Sequence, residues 1–264
     1  MFLTVFSIFL VVGCLIGFLA GLLGIGGGLL IVPILVYVLP LFNVESAVVM
    51  PIALATSLAS IVFTATSATW AHHKNANIPW RIARPLAVVM AIGALLGAKI
   101  ADLLPSALLT GIFATAVILL AGYMLLSIRV HKTKPLPEIW VLQIIGTFTG
   151  FLSSLMGISG GAILVPTLTY YSMSIRLAIG TATVCGFVVA SFGALGFILT
   201  GLDQENLPPW SVGYVYLPAL LGMVTTSFIF APLGVKWAAK LPVRTLKKCF
   251  AAFLILVAVR MFWQ

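Results

Sequence analysis

A short glycine-rich phrase occurs twice in this chain, half its length apart. Gly24-Ile25-Gly26-Gly27-Gly28 with Val32-Pro33 returns 133 residues later as Gly157-Ile158-Ser159-Gly160-Gly161 with Val165-Pro166. At this offset, 12 of the 23 positions from Gly13 to Leu35 are identical to those from Gly146 to Leu168. A second pattern, Gly-x-Lys-x-Ala-x-x-Leu-Pro, begins at Gly97 and again at Gly234. Duplicated, glycine-interrupted hydrophobic units are typical of membrane transporters built from two structural repeats.

The composition places the chain in a lipid bilayer. Of its 264 residues, 62% are hydrophobic and only 7% are charged, and the mean hydropathy is +1.24. A soluble domain carries roughly 25% charged residues, so we predict an integral membrane protein. We expect one transmembrane domain, with a first repeat at 1–134 and a second at 135–264. The amino terminus has no basic region before a cleavage site, so we expect a first membrane segment there and no signal peptide.

The fold class predicted is an all-α polytopic membrane protein with about 8–10 membrane segments. Each repeat would have a glycine-broken first hairpin, discontinuous or re-entrant, followed by three transmembrane helices. The predicted segments lie near 2–23, 26–42, 45–70, 82–103 and 107–128, and near 138–156, 160–173, 177–200, 212–235 and 244–263.

The basic residues favour an inverted relation between the repeats. With five segments in each half, 12 of the 14 lysines and arginines fall in cytoplasmic loops, and only Lys99 and Arg260 remain outside. If each broken hairpin were a single crossing, the division would be 7 to 7. Because lysine and arginine near segment ends accumulate on the cytoplasmic side, we predict inverted repeats.

The repeated glycines predict an anion site. A helix broken by glycine in lipid exposes backbone groups that protein, water or a ligand must satisfy. A helix that restarts after the break presents free N–H groups and the positive end of its dipole, which bind anions without a cationic side chain. The candidate substrate-binding residues in the two phrases are Gly24, Gly26, Gly27, Gly28, Gly157, Ser159, Gly160 and Gly161. Close helix packing is the alternative function for small residues, and we favour it for Gly13, Gly17, Gly21, Gly146, Gly150 and Ser154.

Hydroxyl side chains indicate a polar path beside these glycines. Ser57, Ser60, Thr64 and Ser67 lie on one face of the third segment, where Thr56 precedes them. Ile52 to Thr56 roughly matches Ile179 to Thr183 in the second half. We therefore add Thr56, Ser57, Thr181 and Thr183 to the candidate substrate-binding residues, although such hydroxyls often bond back to their own helix.

The sequence lacks the residues that several classes of function require. All five acids lie at or near segment ends, so no carboxylate relay for protons or cations is visible. No catalytic or nucleotide-binding motif occurs, so we predict no enzyme and no cofactor. The adjacent His72 and His73 are weak evidence for a metal site, and the three cysteines have no metal-ligand spacing. The expected partners are a small anion and the bilayer, with no nucleic acid, and a homo-oligomer is left open.

The chain contains two glycine phrases, each followed by Val-Pro, and two Gly-x-Lys-x-Ala-x-x-Leu-Pro elements. With these motifs it resembles the sulfite exporter TauE/SafE family over essentially its whole length. The resemblance implies a multi-pass protein of the bacterial inner membrane that moves sulfite, sulfonates or related sulfur oxyanions, usually outward. Ser159 stands where the first phrase has Gly26, so the two half-sites need not bind alike.

We therefore predict a secondary transporter, an exporter, of a small anion such as sulfite, a sulfonate or a related organosulfur compound or oxyanion, working by alternating access. Two alternatives remain open. The chain would be a membrane scaffold or subunit if the glycines serve only packing, or a metal-ion permease if His72 and His73 bind metal.

Overall fold

Ten α-helices form the described part of the protein. The computed structural model describes residues 2–23, 27–126, 137–238 and 243–262. In the first half the helices are α1 (Phe2–Leu23), α2 (Gly28–Val38), α3 (Ser46–Lys74), α4 (Trp80–Leu103) and α5 (Ser106–Leu126), with a 3₁₀ turn at Leu39–Phe42. In the second half they are α6 (Ile139–Leu155), α7 (Gly161–Tyr170), α8 (Ile175–Gly201), α9 (Leu217–Ala238) and α10 (Val243–Phe262). The predicted polytopic helical architecture is confirmed.

Six of the described helices are long and apolar enough to cross a membrane: α1, α3, α4, α5, α8 and α9. Helices α2, α6 and α7 have 11, 17 and 10 residues, which is short for a hydrocarbon core of about 30 Å. Both short helices of the glycine phrases, α2 and α7, carry an internal proline, Pro33 and Pro166. The second helix of each half is therefore short, as predicted, but it continues through its proline, whereas the sequence predicted an interruption there.

Contacts between the two halves hold the bundle together. Helix α1 of the first half packs along α9, and α6 of the second half packs along α4. Helices α3 and α8 pack against each other, as do α5 and α10. Among the long spans α3 is the most buried, at 78% of its most apolar window against 28% for α1. Helix α3 is thus the centre on which α2, α8 and α9 are assembled.

The small residues assigned to packing do bring helices together. Gly13 and Gly17 of α1 lie against Thr226, Met223 and Ser227 of α9. Gly146 and Gly150 of α6 lie in the same way against Leu86, Val89 and Met90 of α4. A Cβ at any of these four positions would collide with the facing helix. The packing prediction for Gly13, Gly17, Gly146 and Gly150 is confirmed.

One predicted segment starts too early. The sequence predicted a membrane segment from about residue 212, but Ser211–Val212 and Val215–Tyr216 form an antiparallel two-stranded hairpin, and α9 begins at Leu217. The backbone reverses at Gly213, whose φ is +52°. The residues of the second strand are apolar because Val215 and Tyr216 are buried against the helices and not in lipid. Hydropathy does not distinguish these two environments.

Candidate functional site

The second glycine phrase ends one helix and starts the next. At the end of α6, the Ile158 N–H donates to the Ser153 carbonyl (3.0 Å) and the Gly157 N–H to the Ser154 carbonyl (3.1 Å). Gly157 has φ +62°. This pair of bonds, closed by a left-handed residue, is a Schellman cap, which satisfies the last carbonyls of the helix. Gly157 therefore has a structural function of its own.

Helix α7 begins only three residues after that cap. Its N-cap is Gly160, in the left-handed region at φ 73° and ψ −9°, and no side chain caps it. The Gly160 carbonyl accepts from Ile163 and Leu164, whereas the N–H groups of Gly161 and Ala162 find no backbone acceptor among the described residues. A left-handed residue followed by a right-handed one turns successive N–H groups toward one point, and such a concavity binds anions. Ser159 and Gly161 are half-buried, so this turn is partly open.

The first glycine phrase differs from the second at its helix N-cap. Gly24 and Gly26 lie outside the described residues. Gly27 is the N-cap of α2, but its φ is −68° and its backbone is right-handed. Helix α2 is buried over most of its length, whereas only Leu164 and Leu168 are buried in α7. The two phrases thus share a sequence pattern but differ in the backbone conformation of their helix N-caps.

The two phrases meet in the core of the bundle. A Cβ on Gly28 would lie 2.7 Å from the Gly157 carbonyl oxygen and 3.3 Å from the Ile158 Cα. The same carbonyl accepts a hydrogen bond of 2.8 Å from the buried Ser57 hydroxyl of α3. Helix α3 thus holds the second phrase against the start of α2. Three of the predicted residues, Gly28, Ser57 and Gly157, are thus brought together.

A small cavity lies beside the first phrase. It has a volume of about 40 Å³ and is bounded by Gly27, by Ile16 of α1, by Ser60 and Thr64 of α3, and by Ser227 of α9. A single buried water needs roughly 10–15 Å³ on this scale, so the cavity has room for a few waters or one small ion. Its hydroxyls bond to carbonyls of their own helices.

The other predicted hydroxyls have partners within the protein. The Thr56 hydroxyl oxygen accepts the backbone N–H of Tyr216 in the hairpin at 3.0 Å. The hydroxyls of Thr181 and Thr183 each donate at 2.8 Å to a carbonyl one turn earlier in α8, at Leu177 and Ile179. These two threonines make no hydrogen bond to either glycine phrase within the described ranges. A role in the path remains a prediction for them.

Three features of the structure were not predicted from the sequence. Ser153 and Ser154 are fully buried at the end of α6, and their hydroxyls have no hydrogen-bond partner among the described residues. The hairpin Tyr214 hydroxyl donates to the Asp102 carboxylate at 2.7 Å, and burial together with that carboxylate raises the Tyr214 pKa. Ser153 and Ser154 were visible as a polar pair in an apolar helix.

The described residues offer little to a metal ion. No group of three or more histidine, cysteine, aspartate or glutamate side chains comes together in the part of the chain that the structure describes. The His73 ring packs edge-on against Trp80, with ring centres 5.6 Å apart. His72 keeps a buried Nδ1 without a described partner. Within the described ranges, the adjacent histidines are joined by no third residue of the kinds that bind metal.

Comparison with known proteins identifies the family. The model of the sulfite exporter TauE/SafE family matches residues 9–261. A probable membrane transporter protein of Haemophilus influenzae is 45% identical over 255 residues, covering 96% of both chains. Probable membrane transporter proteins of Methanocaldococcus jannaschii and Bacillus subtilis are 27% and 28% identical, covering 96% and 88% of this chain and 94% and 90% of theirs. No solved structure matches. The chain belongs to the sulfite exporter TauE/SafE family of membrane transporters.

Proposed function

We propose that this protein is a secondary transporter that exports a small anion, such as sulfite, a sulfonate or a related oxyanion, across the bacterial inner membrane by alternating access. The family description names sulfite export, and the relatives are named as probable membrane transporters. Neither fixes the cargo of this chain, which we infer from the chemistry of the broken helices.

The observation that carries the proposal is the start of α7. Its first N–H groups have no acceptor among the described residues, and its N-cap has no capping side chain. In hydrocarbon an unsatisfied polar group costs several kcal/mol, so a helix start of this kind needs a ligand or water. The helix dipole adds positive potential at the same point, which favours an anion.

The positions of the acidic residues support the same conclusion. Glu45 and Glu138 are N-caps of α3 and α6, Asp102 is in the last turn of α4, and Asp203 and Glu205 lie in the loop after α8. Among the described residues, no carboxylate takes part in the contacts where the glycine phrases meet. A site made of amides and hydroxyls, with no fixed negative charge, selects an anion over a cation.

Inverted repeats are the part of the proposal that explains alternating access. Helix contacts follow the sequence repeat: Gly97 of α4 abuts the Phe151 carbonyl of α6, and Gly234 of α9 abuts the Phe18 carbonyl of α1. Gly97 and Gly234 are equivalent positions in the repeat, and so are Phe151 and Phe18. Two related half-structures that exchange conformations would open the site to each face of the membrane in turn.

Purified protein with a panel of anions tests the proposal. Sulfite, thiosulfate, methanesulfonate and sulfate are added to protein in detergent, and the melting temperature is followed. A cargo at 100 times its dissociation constant stabilises the folded state by about 2.7 kcal/mol. Liposomes containing the protein should also take up the stabilising anion faster than empty liposomes. If no anion stabilises the protein and none is carried, the proposal is wrong and the scaffold and metal-permease alternatives remain.

A further inference from the structure

Two buried hydroxyls at the end of α6 lack partners. Ser153 and Ser154 are each 0% exposed, and neither Oγ atom has a hydrogen-bond partner among the described residues. Leaving a buried hydroxyl unpaired costs about 1–3 kcal/mol, and such groups in folded proteins are few. Each of them therefore calls for an explanation.

Ser153 is directed at the start of α7. Its Oγ lies 2.7 Å from the point where a Cβ on Gly160 would stand, and Gly160 is the N-cap of that helix. The N–H groups of Gly161 and Ala162 follow immediately and have no described backbone acceptor. The Ser153 hydroxyl of α6 and two amides of α7, none with a described partner, thus lie together at the start of α7. All of them are hydrogen-bond donors.

We propose that Ser153 binds the transported anion, donating its hydroxyl to an oxygen of an oxyanion whose other oxygens accept the N–H groups of Gly161 and Ala162. This inference rests on the proposed function and adds a residue to its site. The ligand class is a small oxyanion that presents several oxygens on one face, as sulfite and sulfonates do. The half-buried Ser159 and Gly161 provide the opening through which the anion reaches the amides.

The binding geometry is specific to the second repeat. Gly27, the equivalent of Gly160, is right-handed, and the nearest described atoms to a Cβ there belong to the side chains of Ile31 and Ile16. The residue equivalent to Ser153 in the first repeat is Ala20, which has no hydroxyl. The first phrase thus lacks both the left-handed N-cap and the hydroxyl. The two halves contribute unequally to binding.

Ser154 is a matched control next to Ser153. It is equally buried, its hydroxyl is equally unpaired, and its carbonyl takes part in the same helix cap. Its Oγ, however, lies 3.1 Å from the Cβ position of Gly193 in α8, whereas the Ser153 Oγ lies beside the N-cap of α7. A purely structural function predicts similar effects of Ser153→Ala and Ser154→Ala. A binding function predicts a difference between them.

The experiment titrates sulfite and methanesulfonate into wild type, Ser153→Ala and Ser154→Ala in detergent, and derives a dissociation constant from the rise in melting temperature. Without anion, both variants should melt at or above the wild-type temperature, because each loses an unpaired buried hydroxyl. With anion, Ser153→Ala should bind at least about tenfold more weakly, as expected for a lost hydrogen bond to a charged group. Ser154→Ala should stay within about twofold of wild type.

The other outcomes separate the two proposals. The assignment of Ser153 is overturned if wild type binds the anion and the two variants bind it with equal affinity, or if the affinity of Ser153→Ala equals that of wild type. In both cases the transporter proposal still stands. Failure of Ser153→Ala alone to fold would show that the hydroxyl stabilises the protein itself, which also overturns the assignment. Absence of any effect of sulfite or methanesulfonate on wild type would overturn the assignment of Ser153, and the transporter proposal would also be wrong if no anion of the panel were carried into liposomes.

Discussion

Alanine at Gly160 is predicted to destabilise the protein, and alanine at its repeat equivalent Gly27 is not. Gly160 has φ +73°, and a left-handed conformation costs an L-residue roughly 1–2 kcal/mol. A Cβ there would also lie 2.7 Å from the Ser153 Oγ and 3.3 Å from the Met90 Cε. Overpacking of this kind costs about 1–3 kcal/mol. The expected loss is therefore about 2–5 kcal/mol of unfolding free energy.

The change at Gly27 has a different outcome. Its φ of −68° suits any residue, and the nearest atom to an added Cβ is the Ile31 Cδ1 at 3.3 Å, the end of a flexible side chain. Replacing glycine where the backbone is compatible gains about 0.4–1 kcal/mol by restricting the unfolded chain. The small displacement of Ile31 opposes this gain. We expect Gly27→Ala to change stability by less than about 1 kcal/mol in either direction.

Thermal unfolding of both variants in one detergent, without anion and at one heating rate, measures the difference. At roughly 2–4 °C per kcal/mol for chains near this size, Gly160→Ala should melt at least about 4 °C below wild type. Gly27→Ala should melt within about 4 °C of wild type. Equal melting temperatures for the two variants, or a larger loss at Gly27, would refute the conclusion that the phrases differ in conformation.

Three further changes test individual contacts by the same melting assay. Ser57→Ala removes the donor to the buried Gly157 carbonyl and should cost about 1–3 kcal/mol; unchanged stability would mean that the bond does not hold the turn. Tyr214→Phe removes a hydrogen bond to the Asp102 carboxylate and should cost about 1.5–3 kcal/mol at pH 7. The Tyr214 pKa is raised on folding, so this contribution is present below pH 10 and is lost as the pH rises further; a gap to wild type that does not narrow above pH 10 would contradict this. Gly111→Ala, with no described atom within 4 Å of the added Cβ, should gain roughly 0.5–1 kcal/mol, and a loss would indicate a contact at that face.

The helices could be predicted from the sequence because lipid enforces them. A backbone that crosses hydrocarbon must bond within itself, so long apolar stretches become helices. The predicted segments near 2–23, 138–156 and 177–200 differ by at most two residues at each end from α1, α6 and α8. The hairpin at Ser211–Tyr216 was not predicted because its apolar residues are buried by protein. Hydropathy does not distinguish burial by protein from burial in lipid.

The interruption at the glycines was predictable, and its conformation was not. Repeated glycines and a following proline indicate where a helix stops and restarts, and α7 does begin at Gly161. The left-handed backbone of Gly160 and the right-handed backbone of Gly27 depend on what each residue packs against. Identical residues in the two repeats do not determine these backbone conformations. The unpaired state of Ser153 depends in the same way on its neighbours in three dimensions.

Thr56 shows how the two interpretations of a membrane hydroxyl can be separated. The sequence predicts that it lines a path, yet in the structure its oxygen accepts the Tyr216 N–H, which ties the hairpin to α3. Thr56→Val keeps the shape and removes the acceptor, so the buried N–H is left unpaired at a cost of about 1–3 kcal/mol. Thr56→Ser keeps the oxygen and should be nearly as stable as wild type. If the hydroxyl serves only the hairpin, Thr56→Val lowers the melting temperature and leaves anion affinity unchanged. If affinity falls in Thr56→Val and not in Thr56→Ser, the hydroxyl also contacts the anion, and the hairpin lies close enough to the site to respond to its occupation.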